Sequence, residues 1–226
     1  MKLEATAAQR HRSVTKWGDR QQRRIDILEA ARARIADGGY LALNMRDLAA
    51  GAGVSPGTLY SYFATKEELF ATLYAEAIRA YTEAFAPVAD ADMGLADLLR
   101  EVIVRHLDLY RTYGRHFTLW SAMRHDPHPD TGAAANFPRE LIVELRAATI
   151  EHNKLLMGAI RAAAARDERA VVDEKLVPSF VWSTLNGLAD HFISERSALD
   201  RFPAERLIRF SAERLALAIT EPAPVR

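Results

Sequence analysis

The chain has 226 residues, of which 49% are apolar and 27% charged, so it can form one large or two small domains with a substantial core. It contains no cysteine, which excludes disulfides, thiolate metal sites and cysteine nucleophiles. The formal net charge is zero, but residues 1–66 carry 11 basic against 6 acidic side chains, and this excess of +5 suits a phosphate backbone. No apolar run approaches the roughly 20 residues that span a bilayer, and residues 1–14 lack a signal-peptide core. We therefore expect a cytoplasmic protein without membrane contact.

Apolar residues recur at helical spacing along almost the whole chain, and no segment alternates as a strand does. This pattern predicts an all-α fold. The first predicted helix covers residues 21–37 and ends at Gly38-Gly39. Its apolar stripe consists of Ile25, Leu28, Ala31 and Ile35. The preceding residues 1–20 contain Arg10, Arg12, Lys16 and Arg20, and they are predicted to form a basic arm that binds DNA. A disordered tail fits this segment equally well.

Two short helices follow, with a glycine between them. Asn44 is a predicted N-cap for a helix from Met45 to about Ala52, and Gly53 supplies the turn. Ser55 can cap the next helix, which has proline at its first position and ends near Phe63. A capping box, Thr-Lys-Glu-Glu at residues 65–68, then opens a long helix to about residue 85. Two short helices joined by a tight turn are typical of a helix-turn-helix motif.

The turn also matches the nucleophile elbow of serine hydrolases, Gly-x-Ser-x-Gly, at residues 53–57. That elbow needs the backbone N–H of the residue after the serine for its oxyanion hole, and here this residue is Pro56, which has none. A helix rather than a strand is predicted before it. We therefore expect no catalytic residue. The side chains of the second helix that are predicted to be exposed to solvent belong to Pro56, Gly57, Thr58, Tyr60, Ser61 and Tyr62.

Residues 23–75 resemble the N-terminal domain of the tetracycline-repressor (TetR) family of transcriptional regulators. The resemblance rests on Met-Arg-Asp-Leu-Ala in the second helix, Gly-Val-Ser-x-Gly-Thr-Leu-Tyr-x-Tyr-Phe after it, and then Lys-Glu-Glu-Leu. It implies an N-terminal three-helix bundle with a helix-turn-helix at residues 21–66 and a C-terminal helical ligand-binding and dimerisation domain at 67–221. It also implies a homodimeric repressor that a small molecule releases from a near-palindromic operator in double-stranded DNA, without a cofactor.

The same resemblance implies which residues contact DNA. Residues of the second short helix approach bases or adjacent phosphates, and Tyr62 and Lys66 contact the DNA backbone. Arg46 contacts DNA from the preceding helix. Two residues, Ser61 and Pro56, depart from the commonest residues of the family, so the operator sequence cannot be inferred. The predicted DNA-binding residues are Arg46, Ser55, Pro56, Gly57, Thr58, Tyr60, Ser61, Tyr62 and Lys66.

An effector pocket between the later helices should be apolar with a few convergent polar groups. Aromatic and polar residues at buried-looking positions supply the candidates, although each could equally be a satisfied core residue. The predicted ligand-binding residues are His106, Tyr110, His116, Phe117, Trp120, Met123, Arg124, His152, Trp182 and Asn186. The nearby run Arg-His-Asp-Pro-His-Pro-Asp, residues 124–130, lacks a preorganised ligand spacing, so no metal site is predicted.

Between residues 177 and 193 the apolar positions cover more of the helix than one buried stripe needs. One face could pack in the subunit and another against a partner, which predicts a four-helix bundle between two subunits, although a central helix of a monomer fits as well. The predicted dimerisation residues are Val181, Leu185, Leu188, Phe192, Leu207, Ile208 and Leu215.

Three other functions remain open on the sequence. The protein could bind DNA without sensing a ligand, or it could be a dimeric interaction module without DNA affinity. A helical enzyme is the third alternative, and its one loose candidate is His152 with an unidentified carboxylate.

Overall fold

The computed structural model describes residues 2–114, 138–193 and 196–223, and the fold is all-α. The N-terminal helices are α1 (Lys2–Gly38), α2 (Met45–Gly51), α3 (Pro56–Tyr62) and α4 (Lys66–Ala89). The later helices are α5 (Leu95–Tyr113), α6 (Arg139–Arg166), α7 (Val177–Ile193) and α8 (Ala204–Ile219). Short 3-10 helices span Tyr40–Ala42 and Arg196–Leu199. Within the described residues, no helix is both long and apolar enough to cross a membrane.

The chain divides into two compact units, residues 1–73 and 74–226. The boundary lies inside α4, whereas the sequence placed it after Lys66. The start of α4 contacts the N-terminal unit through Tyr40, whose ring packs edge-on against Phe70 with 5.1 Å between centroids. The hydroxyl of Tyr40 also donates to the carboxylate of Glu67 at 2.6 Å. These contacts explain why the first two turns of α4 belong to the first unit.

Helix α1 differs from its sequence prediction at its start and in its buried stripe. It begins at Lys2 rather than near residue 21, so the backbone of the predicted arm is helical, including Arg10, Arg12 and Lys16. No proline interrupts this stretch, and Gly18 is the one strongly helix-disfavouring residue before the end of the helix. The stripe contains Ile27, which is fully buried, in place of Ile25, which is 39% exposed.

The helix-turn-helix has the predicted local structure. The side chain of Asn44 accepts a hydrogen bond from the backbone N–H of Arg46 at 2.9 Å, which caps α2. Gly53 has a φ of 65°, a left-handed conformation that favours glycine, and it turns the chain into α3. Ser55 caps α3, with Pro56 in its first turn. The capping box of α4 forms as well, because Oγ1 of Thr65 accepts from the N–H of Glu68 at 3.0 Å.

The core of the C-terminal unit is built on α5, which packs against α7 and α8. Its buried face carries Leu95, Leu98, Leu99, Val102 and Ile103. A residue from the end of α6 caps this helix, since the carboxylate of Asp167 accepts from the N–H of Leu95 at 2.8 Å. A Cβ at position 94 would lie 3.0 Å from that carboxylate, so Gly94 permits the close approach.

Three details of the C-terminal unit concern two prolines and a pair of short strands. Helix α4 continues past Pro87 to Ala89, because proline removes only one hydrogen bond in this last turn. Helix α7 begins at Val177, so Pro178 lies in its first turn, where the missing N–H has little cost. Strands β1 (Arg169–Val171) and β2 (Thr220–Pro222) pair antiparallel, with Val171 opposite Thr220. Strands of three residues are too short to show alternation in the sequence.

Candidate functional site

Helix α3 presents a polar face to solvent and an apolar face to its own unit. Leu59 and Phe63, one turn apart, are buried and hold the helix in place. Tyr60 is 49% exposed, and Pro56, Gly57 and Ser61 are exposed beside it. The exposed face therefore offers one large aromatic phenol among small residues, which lets a groove of DNA approach the helix closely.

Hydrogen bonds within α3 occupy several of its hydroxyls. Oγ of Ser55 accepts from the N–H of Thr58 at 3.1 Å and lies 2.9 Å from the hydroxyl oxygen of Thr58. The hydroxyl of Ser61 donates to the carbonyl of Thr58 at 2.6 Å. These bonds stiffen the helix, and they leave the exposed phenol of Tyr60 as its longest polar group.

Two cations predicted to contact DNA flank α3. Arg46 is exposed in the first turn of α2. Lys66 is half-buried at the start of α4, with its Nζ 4.1 Å from the ring centroid of Tyr40. Burial lowers the pKa of Lys66, and the negative charge of Glu67 acts in the opposite direction. Lys66 therefore has a packing role beside any role in binding phosphate.

A concave surface lies between α1 and α3. It is lined by Arg20, Gln21, Arg24 and Ile25 from α1 and by Ser61 and Tyr62 from α3. The guanidinium carbon of Arg20 lies 5.8 Å from the ring centroid of Tyr62, and that of Arg24 lies 5.4 Å from the ring of Phe63. We name this surface the α1–α3 cleft. Its two arginines are one helical turn apart, and both are exposed.

A cavity opens among four helices of the C-terminal unit, with about 510 Å³ of empty space including its open side. Helix α4 contributes Tyr74, Ile78 and Tyr81, and α5 contributes Leu109. The remaining lining residues come from α6 and α7, and they are Thr149, His152, Asn153, Pro178, Ser179 and Trp182. The lining thus combines aromatic side chains with a few neutral polar groups, as small-molecule sites do.

Two buried histidines belong to this region. Nε2 of His106 lies 3.0 Å from Oδ1 of Asn186, and Nδ1 of His152 lies 3.2 Å from Oγ1 of Thr82. Burial lowers the pKa of each ring to about 4. For His106 the hydrogen bond to the asparagine acts in the opposite direction, and the neighbouring His152 lowers the pKa further. Both imidazoles are therefore neutral at neutral pH.

Aromatic contacts connect these histidines to the cavity wall. The rings of His106 and Trp182 meet edge to face at 5.1 Å, and those of His152 and Tyr81 are tilted at 4.8 Å. Burial raises the pKa of Tyr81, although the positive charge of Arg105 opposes the shift, so its phenol stays protonated. The wall is consequently aromatic and without charge at these positions.

Comparison with known proteins places the N-terminal unit in a family. Residues 27–73 match the family model of bacterial regulatory proteins of the tetR family. Over these residues the chain is similar to that family. The matched residues contain both helices of the helix-turn-helix and the buried start of α4.

Curated relatives match different lengths of this chain. The HTH-type transcriptional repressor KstR2 of Mycobacterium tuberculosis is 46% identical over 52 residues, which are 23% of this chain and 26% of the relative. The chain thus spans about a quarter of the length of the first curated relatives that it matches. The HTH-type transcriptional repressor AcnR of Corynebacterium diphtheriae is 27% identical over 173 residues, 76% of this chain and 80% of that protein.

Solved structures share the all-α fold. The transcriptional regulator FadR from Bacillus subtilis, solved in complex with stearoyl-CoA, gives a TM-score of 0.57 at 21% identity and covers 86% of this chain and 98% of its own. The tetR regulator PfmR from Thermus thermophilus gives 0.56 at 20% identity, with 88% and 99% covered. At these identities the likeness concerns the fold.

The structure brings together the predicted ligand-binding residues that it describes. His152 and Trp182 line the cavity, while His106 contacts both Tyr110 and Asn186 beside it. Five others, His116, Phe117, Trp120, Met123 and Arg124, lie outside the described residues. The lining also contains Tyr74, Tyr81, Thr149, Asn153 and Ser179, which were not among the predicted ligand-binding residues. Tyrosines in an apolar stripe look like core residues, and isolated hydroxyl or amide residues look like surface residues, so the sequence offers no signal for these five.

Four of the predicted dimerisation residues are buried inside the subunit. Val181, Leu185, Ile208 and Leu215 are at most 7% exposed and belong to the core of the C-terminal unit. Leu188 and Phe192 pack against that core and are partly buried, as is Leu207. Large exposed apolar side chains on and next to these helices include Leu176, Phe180, Phe210 and Leu217.

Two observations bear on metal and catalytic chemistry in the part of the chain that the structure describes. No group of three or more His, Cys, Asp or Glu could hold a metal ion there. His125, Asp126, His128 and Asp130 of the proline-containing run lie outside it. His152, the loose candidate for a catalytic group, contacts Thr82 rather than a carboxylate.

Proposed function

We propose that the protein is a DNA-binding transcriptional repressor that acts as a homodimer and leaves its operator when a small molecule occupies the cavity. The observation that carries the proposal is the face of α3, where Pro56, Gly57, Tyr60 and Ser61 are exposed while the opposite side is packed. An exposed helix of this kind can enter a major groove. Repressors among the tetR relatives support the direction of regulation.

The α1–α3 cleft is a second surface that supports DNA binding, beside the exposed face of α3. Phosphate contacts position a protein on the duplex, and arginine forms two parallel hydrogen bonds to a phosphate. Arg20 and Arg24 carry exposed guanidinium groups next to Tyr62, which the family resemblance assigns to the DNA backbone. We expect these two arginines and the phenol of Tyr62 to bind neighbouring phosphates on one strand.

The cavity supports effector binding. The relative from Bacillus subtilis in complex with stearoyl-CoA indicates that this fold can hold a small molecule. In this chain the described lining of the cavity is aromatic and neutral polar, and it determines which molecules can bind. Helix α4 carries cavity residues Tyr74, Ile78 and Tyr81, and its first residue, Lys66, follows the helix-turn-helix. An effector that favours one position of α4 would change operator affinity.

The dimer would use a different face from the one predicted by sequence. Phe180 on α7 and Phe210 and Leu217 on α8 are about half exposed, and exposed apolar side chains of this size are typical of interfaces. Leu176, just before α7, is one turn from Phe180 and extends the same face. Two subunits would place two recognition helices in successive major grooves of a palindromic site.

Fluorescence anisotropy with labelled DNA from upstream of the gene, against scrambled DNA, tests the proposal at two salt concentrations. We expect specific, salt-sensitive binding, because phosphate contacts release counterions. Tyr60→Ala should weaken the specific complex more than the nonspecific one, whereas Ile150→Ala on the exposed face of α6 should change neither. Equal affinity for both DNAs, with no effect of Tyr60→Ala, would contradict the proposal.

The effector step is tested separately. A compound that stabilises the protein against heat in a saturable way should lower operator affinity, since it binds the DNA-free state better. Equal operator affinity with and without such a compound would leave a DNA-binding protein that does not respond to ligand. Turnover of the compound would instead indicate an enzyme.

A further inference from the structure

The polar groups that the described residues contribute to the wall of the cavity are uncharged. They are the hydroxyls of Thr149 and Ser179, the amide of Asn153 and the imidazole of His152, together with the phenols of the lining tyrosines. Among the described residues that line the cavity there is no Lys, Arg, Asp or Glu. A charged ligand would therefore lose its hydration on entry without gaining an opposite charge from these residues.

The histidines do not supply a positive charge either. The buried imidazole of His152 has its pKa lowered to about 4 by burial, and it is neutral at neutral pH. The same holds for His106 next to Trp182. An anionic ligand would thus meet neutral rings rather than imidazolium groups.

The hydrogen bonds of Thr82 fix the tautomer of His152. The hydroxyl of Thr82 has a single proton, which it donates to the carbonyl of Ile78 at 2.8 Å. Toward the histidine, Oγ1 of Thr82 can then only accept, so Nδ1 of His152 donates to it at 3.2 Å. A neutral ring with its proton on Nδ1 has an acceptor lone pair on Nε2, and no described residue is hydrogen-bonded to that atom.

Aromatic side chains make up much of the remaining wall. Tyr74 and Tyr81 line the cavity from α4, and Trp182 lines it from α7. Aromatic side chains offer large, stiff contact areas that a flat ligand can cover by offset or edge-on stacking. The wall therefore favours a planar molecule over a flexible chain.

We propose that this cavity binds an uncharged, planar molecule that donates a hydrogen bond to Nε2 of His152. The inference rests on the proposed function, in which the cavity is the effector site, and adds the chemical class of the effector. An aromatic amide or a phenol has this chemistry. A carboxylate has the wrong charge and no proton to donate.

Three probes of nearly equal shape separate charge from hydrogen bonding. They are 2-naphthamide, which is neutral and donates, methyl 2-naphthoate, which is neutral and does not, and 2-naphthoate, which is an anion. Isothermal titration calorimetry of the full-length protein at pH 7.5 should rank them amide, ester, carboxylate. We expect the amide to bind about tenfold more tightly than the ester, which corresponds to one hydrogen bond.

A variant tests the assigned acceptor. His152→Phe keeps a ring but removes Nε2, so the amide should lose its advantage over the ester while the ester binds as before. His191→Phe on α7 is the matched control, because this histidine is outside the cavity lining and pairs with Asp200. If His152→Phe fails to fold, the ranking of the three probes on the wild-type protein still tests the proposal.

Carboxylate binding as tight as that of the amide would overturn the proposal. So would equal binding of amide and ester, or no binding of any probe up to a concentration on the order of 1 mM. Operator binding is measured independently of these titrations. If the probes rank as expected but the protein binds no operator, the proposed function is refuted and the proposed ligand class stands. If the protein binds an operator but the probes rank differently, the proposed ligand class is refuted and the proposed function stands.

Discussion

Nε2 of His106 and Oδ1 of Asn186 lie 3.0 Å apart and join α5 to α7 within the C-terminal unit. The amide oxygen can only accept, so the imidazole is protonated on Nε2 and donates. Because burial keeps the ring neutral, this is a hydrogen bond between two uncharged groups. A polar bond at this position favours one register of the two helices, since any other would leave the buried donor without a partner.

Asn186→Leu should therefore destabilise the protein by about 1–3 kcal/mol, the cost of a buried donor that loses its partner. Urea unfolding gives the free energy of unfolding. His106→Phe combined with Asn186→Leu removes both polar groups and should recover part of the loss, whereas additive losses in the double variant would mean that the bond contributes no coupling energy.

Stability should fall as the pH is lowered from 6.5 toward 4. The pKa of His106 and of His152 is about 4 in the folded state, against 6.5 for an unperturbed histidine, so between these values the unfolded chain binds more protons. The free energy of unfolding then decreases with falling pH, by a loss on the order of 2 kcal/mol for each histidine at pH 5. The contribution becomes complete and constant only above about pH 7.5, where the unfolded histidines are also neutral.

Urea unfolding between pH 5 and 7.5 measures this dependence. His152→Gln removes one of the two groups, so its stability should change less steeply with pH than that of the wild-type protein. An identical slope in the variant would show that His152 is not the group that resists protonation.

Local signals in the sequence were sufficient for the helix-turn-helix. Ser55 and Asn44 cap the helices that follow them, and Gly53 has the left-handed conformation that its turn requires. Each of these depends on residues within one turn of the chain, so no tertiary information is needed. The periodic spacing of apolar residues likewise predicted that the later part of the chain is helical.

Faces that depend on distant packing were less predictable. Helix α7 is apolar on two sides, and spacing alone cannot say which side meets the core, so Val181 and Leu185 were assigned outward although they are buried. His106 and His152 were found because a polar residue in an apolar stripe is conspicuous. Ser179 and Thr149 were missed because their exposure depends on helices far away in the sequence.

Arg24→Gln should weaken binding to every DNA sequence, since the α1–α3 cleft is expected to contact phosphates rather than bases. Loss of one phosphate contact should reduce the salt dependence, the slope of log affinity against log salt concentration, by about 1. Arg34→Gln, on the same helix but outside the cleft, removes the same charge and is the matched control. Equal effects of the two variants would mean that Arg24 acts only through net charge.

Phe180→Glu should convert the proposed dimer into a monomer. The side chain of Phe180 is 48% exposed on α7, and a carboxylate in its place would be buried without a partner in an apolar interface. Central aromatic residues of interfaces commonly contribute about 2 kcal/mol or more, which is roughly a 30-fold change in the dissociation constant. Light scattering after size-exclusion chromatography at several protein concentrations measures the change.

Val143→Glu is the control for this variant, because Val143 is 65% exposed on α6 and is also apolar, but lies on neither α7 nor α8. It adds the same charge and should leave the dimer intact. A wild-type protein that is monomeric at every concentration would contradict the homodimer itself. A dimer that survives Phe180→Glu but dissociates with Val143→Glu would move the interface to α6, and the spacing of the two recognition helices on DNA would have to be derived from that face.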